Sequence, residues 1–160
     1  MSWTVIESPV GDLRLVETNG AISQIEYEPF RDHDGRPRGD RDDANPLLVE
    51  AARQLRAYFE RDLKEFDLPL APVGTDFQQR VWEQLREIGY GETSSYGELA
   101  HRLGKSNAAS RAVGLANGRN PIPIVIPCHR VIGSNGTLTG YAGGLDRKQK
   151  LLELEQDALF

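Results

Sequence analysis

The tripeptide Cys128-His129-Arg130 closes the apolar run Ile124-Val125-Ile126-Pro127 and sets a thiol, an imidazole and a guanidinium side by side. Cys128 is the only cysteine among 160 residues, so it has no intramolecular disulfide partner. A lone thiol is either a small buried hydrophobe or a nucleophile. Sulfur attacks as the thiolate, and the two residues that follow are of the kind that take its proton or stabilise its charge. The surrounding charge is one-sided. The chain carries a net charge of −5, yet from Leu99 to Leu145 it has no Asp or Glu, while Arg102, Lys105, Arg111, Arg119 and Arg130 all fall there. Such a stretch marks a positive face suited to a polyanion.

The elements that must position this thiol follow from spacing. With 39% hydrophobic residues the chain can bury a core, as one domain or as one domain with a small companion. Alternation over Trp3–Glu7, Leu13–Glu17 and Ile22–Tyr27, with turns at Pro9–Asp12 and Asn19-Gly20, predicts a three-stranded antiparallel meander. Arg31–Asp43 is almost wholly charged, Gly or Pro and is expected to be a mobile, solvated loop. Asn45-Pro46 starts a helix whose apolar stripe is Leu48, Ala52, Leu55 and Phe59. The Pro-containing stretch Leu68–Gly74 marks a boundary, dividing the chain into residues 1–72 and 73–160.

Beyond that boundary the chain reads as mostly helical. Thr75 and Gln78 fit a capping box, and Phe77, Val81, Leu85 and Ile88 give the helix they start one apolar face, ended by Gly89-Tyr90-Gly91. Ser95–Leu103 and Ala108–Asn117 are two short helices separated by the turn Gly104–Asn107, the pattern of a helix-turn-helix. The prolines of Asn120–Pro127 exclude helix and central strand and predict an extended, buried segment that delivers Cys128. Ser134-Asn135-Gly136 predicts a hairpin, Tyr141–Gly144 a tight loop, and Asp146–Gln149 the cap of a last helix running through Glu155.

Several short motifs agree in order and spacing with one family. They are Ile126-Pro127-Cys128-His129-Arg130-Val131-Ile132-Gly133, Phe77-Gln78-Gln79-Arg80-Val81-Trp82, Ser95-Tyr96-Gly97-Glu98-Leu99-Ala100, Arg111-Ala112-Val113-Gly114 and Asn117-Gly118-Arg119-Asn120-Pro121. By these the chain resembles the O6-alkylguanine-DNA alkyltransferases, also called methylated-DNA–protein-cysteine methyltransferases, strongly over Thr75–Glu155 and loosely in the N-terminal part. The resemblance implies an α+β protein. A small ribonuclease H-like sheet with a helix would precede a helical, winged helix-turn-helix-like domain that carries both DNA binding and alkyl transfer.

The activity implied is repair of double-stranded DNA. An alkyl group would move from guanine O6, and also from O4-methylthymine, irreversibly to Cys128, once per molecule, after the nucleotide is flipped out of the duplex. On the matching positions His129 is the base acting through a water, Glu155 orients it, Asn120 braces the cysteine turn and Tyr96 donates to guanine N3. Val131 and Cys128 would offer carbonyls to the guanine amine, and Tyr141, Ala142 and Gly143 would line the pocket. Arg111 would be the finger that fills the vacated stack. Ala112 and Gly114 would let its helix approach the minor groove, and Arg102, Lys105 and Arg119 would meet phosphates.

The chain departs from the family pattern in three places. The turn Gly104–Ala109 is one residue longer than usual, with Ser106-Asn107 in place of a Pro-Lys pair. Ala142 stands where some members have serine, and the cysteines of an N-terminal zinc site are missing, so no metal and no cofactor are expected. No apolar stretch suits a membrane span and Met1–Thr4 does not open a signal peptide. The expectation is a cytoplasmic monomer that could assemble cooperatively on DNA. Two other readings stand beside it: a module that binds alkylated DNA without repairing it, and a Cys-His hydrolase.

Overall fold

A computed structural model describes the chain except for residues 33, 34, 36, 134–140, 142 and 158–160. It separates into two compact units, Met1–Val73 and Gly74–Phe160. The hairpin expected at Ser134-Asn135-Gly136 lies outside the described residues.

In the first unit the strands β1 (Ser2–Ile6), β2 (Leu13–Thr18) and β3 (Ala21–Tyr27) form the expected antiparallel meander. A fourth strand, β4 (Asp40–Arg41), pairs parallel with β1 and gives the order β3-β2-β1-β4. Among its described residues the charged segment is exposed, as its composition suggests, except at Arg38, and β4 ties its end to the sheet. Its Arg38 is buried and donates to Glu26 on β3, which also receives Arg14 from β2 at 2.6 Å. Arg14 in turn lies over the rings of Trp3 and Phe30 and pairs with Asp32. A strand alternates its faces. Arg14 thus occupies one side of β2, while Leu13 and Leu15 on the other side are fully buried and α1 (Pro46–Phe59) packs there. Asn45 caps α1 by accepting from the Leu47 and Leu48 amides. The buried stripe is Leu48, Ala51, Ala52, Leu55 and Tyr58. Tyr58, not Phe59, completes it, because the third turn returns to the sheet one residue earlier than the spacing of four implies.

The second unit begins with α2 (Asp76–Leu85), whose capping box is formed as predicted: Thr75 Oγ1 accepts from the Gln78 amide, and Gln78 Oε1 accepts from the Thr75 amide. Trp82, fully buried, donates its indole N–H to the Ala116 carbonyl at 2.9 Å and so joins α2 to the end of α4 (Ser110–Gly118). Between them lies α3 (Tyr96–Arg102), capped by Ser95. Gly104 adopts φ +75° at the turn, a conformation in which a side chain would be strained. A 3-10 turn follows at Asn107–Ala109. Asn107 Oδ1 lies 3.0 Å from His101 Nε2, so this side chain is tied to α3. A short parallel pair, β5 (Ser94–Ser95) with β6 (Val131–Ile132), and α5 (Leu145–Asp157) complete the unit.

Residues 120–127 are buried as expected but not extended. The Ile126 amide donates to the Ile122 carbonyl at 2.9 Å, and Ile124 sits at φ 74°, so the segment folds back on itself. Asn120 makes this possible. Its Oδ1 accepts from the Ile122 amide at 3.0 Å and its Nδ2 donates to the Ile126 carbonyl at 2.7 Å, so one buried side chain closes both ends of the loop. The prolines remove amide donors that this compact turn could not satisfy. A left-handed, β-branched residue is an unfavourable conformation, held here by burial of Ile122, Ile124 and Ile126 on all sides.

Candidate active site

Cys128 leaves this loop through a tight reversal at Pro127 (φ −81°, ψ 62°), in which the Cys128 amide donates to the Ile126 carbonyl at 2.8 Å. Residues Cys128–Arg130 then form a 3-10 turn whose three side chains are all buried. Burial pushes the Cys128 thiol up to about 11, against the opposing pull of the Asn120 amide, the Lys148 charge and the Tyr141 hydroxyl. In the resting protein sulfur is thus a thiol, with about one molecule in ten thousand ionised at pH 7.

His129 is fully buried, and its Nε2 lies 2.7 Å from Glu155 Oε2. Burial raises the Glu155 carboxyl, but hydrogen bonds and charge from His129 and Arg130 outweigh it and hold the group at about 2. An ionised carboxylate can only accept. His129 must therefore carry its proton on Nε2, and when neutral it keeps a lone pair at Nδ1. That nitrogen is buried and has no hydrogen-bond partner among the described residues. Burial also keeps the imidazole below its ordinary value, so it is neutral at pH 7 and able to accept a proton. The arrangement is that of an acid–histidine pair behind a nucleophile.

Arg130 completes the buried charge cluster. It donates through Nε and Nη2 to the two Glu155 oxygens at 2.9 and 3.0 Å, and through Nη1 to the Ile88 carbonyl at 2.6 Å. The Gly91 amide reaches Glu155 as well, at 3.3 Å. Every lone-pair direction of the carboxylate is engaged, which is what permits an anion to be 1% exposed.

The remaining site residues predicted from sequence fall into three groups. Asn120, His129 and Glu155 converge on the cysteine turn. Val131 is buried, and its carbonyl accepts from Lys148 Nζ at 2.5 Å, while the Cys128 carbonyl accepts from the Val131 amide and from Asn117 Nδ2 at 3.4 Å. Tyr96, half-buried at the start of α3, stands with its ring edge 3.6 Å from where a Cβ on Gly114 would be. Gly114 thereby faces Tyr96, and the outward face of α4 is formed by Arg111, Ala112, Leu115 and Gly118, with Arg119 just beyond. Arg111, Arg102, Lys105 and Arg119 are all exposed, Lys105 over the ring of Phe77. Tyr141 and Gly143 are half-buried, and Ala142 lies outside the described residues.

Spacing had not singled out Asn117, Arg130 as a ligand of Glu155, or Lys148. The signal for Lys148 is present, since Lys148, Leu151 and Glu155 are three and four apart and so share one face of α5. All three are buried. No helix among the described residues is long and apolar enough to cross a membrane, and no group of His, Cys, Asp or Glu among them could hold a metal ion.

A two-unit α+β protein with a buried Cys-His-Glu constellation in its helical unit defines a cysteine nucleophile with a base held in one tautomer. The profile of the 6-O-methylguanine DNA methyltransferase DNA binding domain matches residues 76–157, and that of the ribonuclease-like domain of the same proteins matches residues 1–72. The methylated-DNA–protein-cysteine methyltransferase of Methanosarcina mazei is 60% identical over 160 residues, covering 99% of each chain. That of Methanosarcina barkeri is 51% identical over 159 residues, again covering 99% of each. Among solved structures, the Mycobacterium tuberculosis O6-methylguanine methyltransferase superposes with a TM-score of 0.90 at 47% identity, covering 98% of this chain and 93% of the other. The same protein in complex with DNA superposes equally well, covering 99% and 94%. The chain belongs to the 6-O-methylguanine DNA methyltransferase family. The activity of that family is DNA repair by transfer of the alkyl group to a protein cysteine.

Proposed function

We propose that this protein repairs double-stranded DNA by accepting the alkyl group of O6-alkylguanine on Cys128, with His129, Glu155, Asn120 and Tyr96 as its working groups. The observation that carries the reading is the His129–Glu155 contact at 2.7 Å, which leaves a basic nitrogen on the residue that follows the only thiol in the chain. The thiol proton passes to His129 Nδ1 through a water, the sulfur–carbon bond forms and the carbon–O6 bond breaks. Tyr96 gives its proton to guanine N3 as charge develops there, so guanine departs neutral, and the proton taken by His129 passes through solvent to restore the Tyr96 hydroxyl. The resting thiol at about 11 means that ionisation is coupled to substrate arrival. Forming the thiolate unaided at pH 7 would cost about 5 kcal/mol.

A base inside a duplex is out of reach of a buried sulfur, so the nucleotide is flipped. Arg111, exposed on the outward face of α4, fills the gap it leaves. Ala112 lies beside Arg111 on the surface that meets the minor groove, Gly114 faces Tyr96 rather than the DNA, and Arg102, Lys105 and Arg119 meet phosphates. Val131, Tyr141, Ala142 and Gly143 border the guanine. O4-methylthymine is a second substrate, the thioether product is final, and the protein works as a cytoplasmic monomer. Incubation with a duplex carrying O6-methylguanine should add one methyl to the intact mass, mapped to Cys128. Folded protein of unchanged mass would refute the proposal.

A further inference from the structure

The buried end of α4 holds a polar group that the mechanism above does not use. Asn117 is 2% exposed. Its Nδ2 donates to the Cys128 carbonyl at 3.4 Å, while its Oδ1 is buried and has no hydrogen-bond partner among the described residues. A carbonyl oxygen only accepts, so the amide cannot be turned over: Oδ1 in place of Nδ2 would set two acceptors against each other. A buried acceptor without a donor is costly, and one that persists calls for an explanation.

Its surroundings supply one. Residues three and four apart share a helix face, so Asn117 lies on the side of α4 that carries Val113 and Gly114. Gly114 faces the Tyr96 ring, and Val113 is fully buried. Asn117 is thus on the Tyr96 side of α4 and hydrogen-bonded to the turn that Cys128 begins. In guanine the carbon next to N3 bears the 2-amino group, a donor with two N–H bonds. The backbone acceptors of the turn are already engaged. The Cys128 carbonyl accepts from the Val131 amide and from Asn117, which occupies both of its lone pairs, and the Val131 carbonyl accepts from Lys148 Nζ at 2.5 Å. Asn117 Oδ1 is the acceptor beside this turn that has no donor among the described residues.

Resting on the reading of Cys128 as acceptor of the alkyl group from O6-alkylguanine, we propose that Asn117 is a specificity-determining residue whose Oδ1 accepts from the 2-amino group of the flipped guanine. Its Nδ2, held by the Cys128 carbonyl, keeps that acceptor aimed. Guanine relieves the orphaned oxygen, and a base without the amine leaves it buried and unpaired.

The test measures single-turnover methyl transfer to wild type, Asn117→Leu, Asn117→Ala and Asn117→Asp in the full chain, with thermal unfolding alongside. Two duplexes are used, alike except for the damaged base: one carries O6-methylguanine, the other O6-methylhypoxanthine, which lacks only the 2-amino group. The readout is the ratio of the two rates. A fault in folding or in thiol reactivity slows both substrates alike, and the ease with which each base leaves the stack is common to all variants. N117L and N117A should lower the wild-type ratio by roughly tenfold, whereas N117D, which keeps an acceptor, should retain most of it whatever its absolute rate. A folded N117L or N117A with the wild-type ratio overturns the proposal and makes Asn117 a brace of the cysteine turn alone. So does an N117D that discriminates no better than N117L. Should N117L not fold, N117A against N117D decides the matter. Failure of wild type to take methyl from either duplex would refute the repair function, and this inference with it.

Discussion

Replacing Glu155 by Gln tests the buried cluster most severely, because one atom exchange changes stability and chemistry for separate reasons. Glu155 balances Arg130, to which it is bound at 2.9 and 3.0 Å, and both side chains are almost fully buried. Removing one member of such a pair leaves an uncompensated charge in a medium that solvates it poorly, at a cost of about 3–5 kcal/mol. For a chain of this length that lowers the unfolding midpoint by roughly 6–20 °C. Pairing E155Q with Arg130→Met removes the stranded cation, and the double variant should regain at least half of the lost stability. Activity should not follow. The Gln amide can donate to His129 Nε2, which moves the imidazole proton to Nδ1 and removes the lone pair needed for the thiol proton. Loss of transfer rate by about 10³–10⁴-fold is expected in both variants, the size typical of tautomer inversion in such triads. Calorimetry or thermal shift gives the first quantity, and single-turnover transfer gives the second. A loss below about 1 kcal/mol in E155Q would refute the account of the buried pair. Retained transfer in a folded E155Q would refute the tautomer argument.

Three further outcomes are expected. Arg111→Ala should slow repair of a duplex far more than reaction with the free O6-methylguanine base, since only the duplex needs a filled stack; equal slowing would remove Arg111 from flipping. Stability should fall on acidification in two stages. His129 is held below its ordinary value of 6.5, so the unfolded chain binds its proton first and stability declines as pH drops through 6.5. Glu155, held at about 2 against an ordinary 4.5, adds about 3 kcal/mol that is complete above pH 4.5 and lost as pH falls toward 2. Denaturant titrations at pH 8, 6, 4 and 3 measure both stages, and a flat profile from pH 8 to pH 3 would contradict the buried cluster. Thr75→Ala should cost about 1 kcal/mol in the second unit by removing the α2 cap, read as a shift in urea midpoint with activity preserved in the remaining folded fraction.

How far the fold was legible depended on the range of the interaction. Thr75 with Gln78, Asn45 with the Leu47 and Leu48 amides, and Ser95 with the Glu98 amide are contacts within three residues, and residue type at fixed spacing is enough to foresee them. Gly104 at a left-handed turn is of the same kind. The adjacency of Cys128 and His129 is written in the chain, as is the acid-free stretch ahead of them. The expected extended segment before Cys128 failed for a reason of the same sort. Prolines exclude regular structure, but they do not say whether a nearby side chain will close the backbone into a loop, and Asn120 does.

Other features existed only once the chain had folded. β4, two residues near the end of the charged segment, pairs with β1, and Arg38 beside it shares Glu26 with Arg14 of the sheet. Composition alone makes such residues look solvated, since charged side chains avoid burial unless a partner is delivered. Glu155 reaches His129 over 26 positions of sequence, and Lys148 reaches Val131 over 17. Types and periods name the thiol, the base and the helices that frame them. Whether that thiol is protonated and which nitrogen of the base is left to accept a proton are set by desolvation and by partners brought from afar, neither of which residue type or spacing displays.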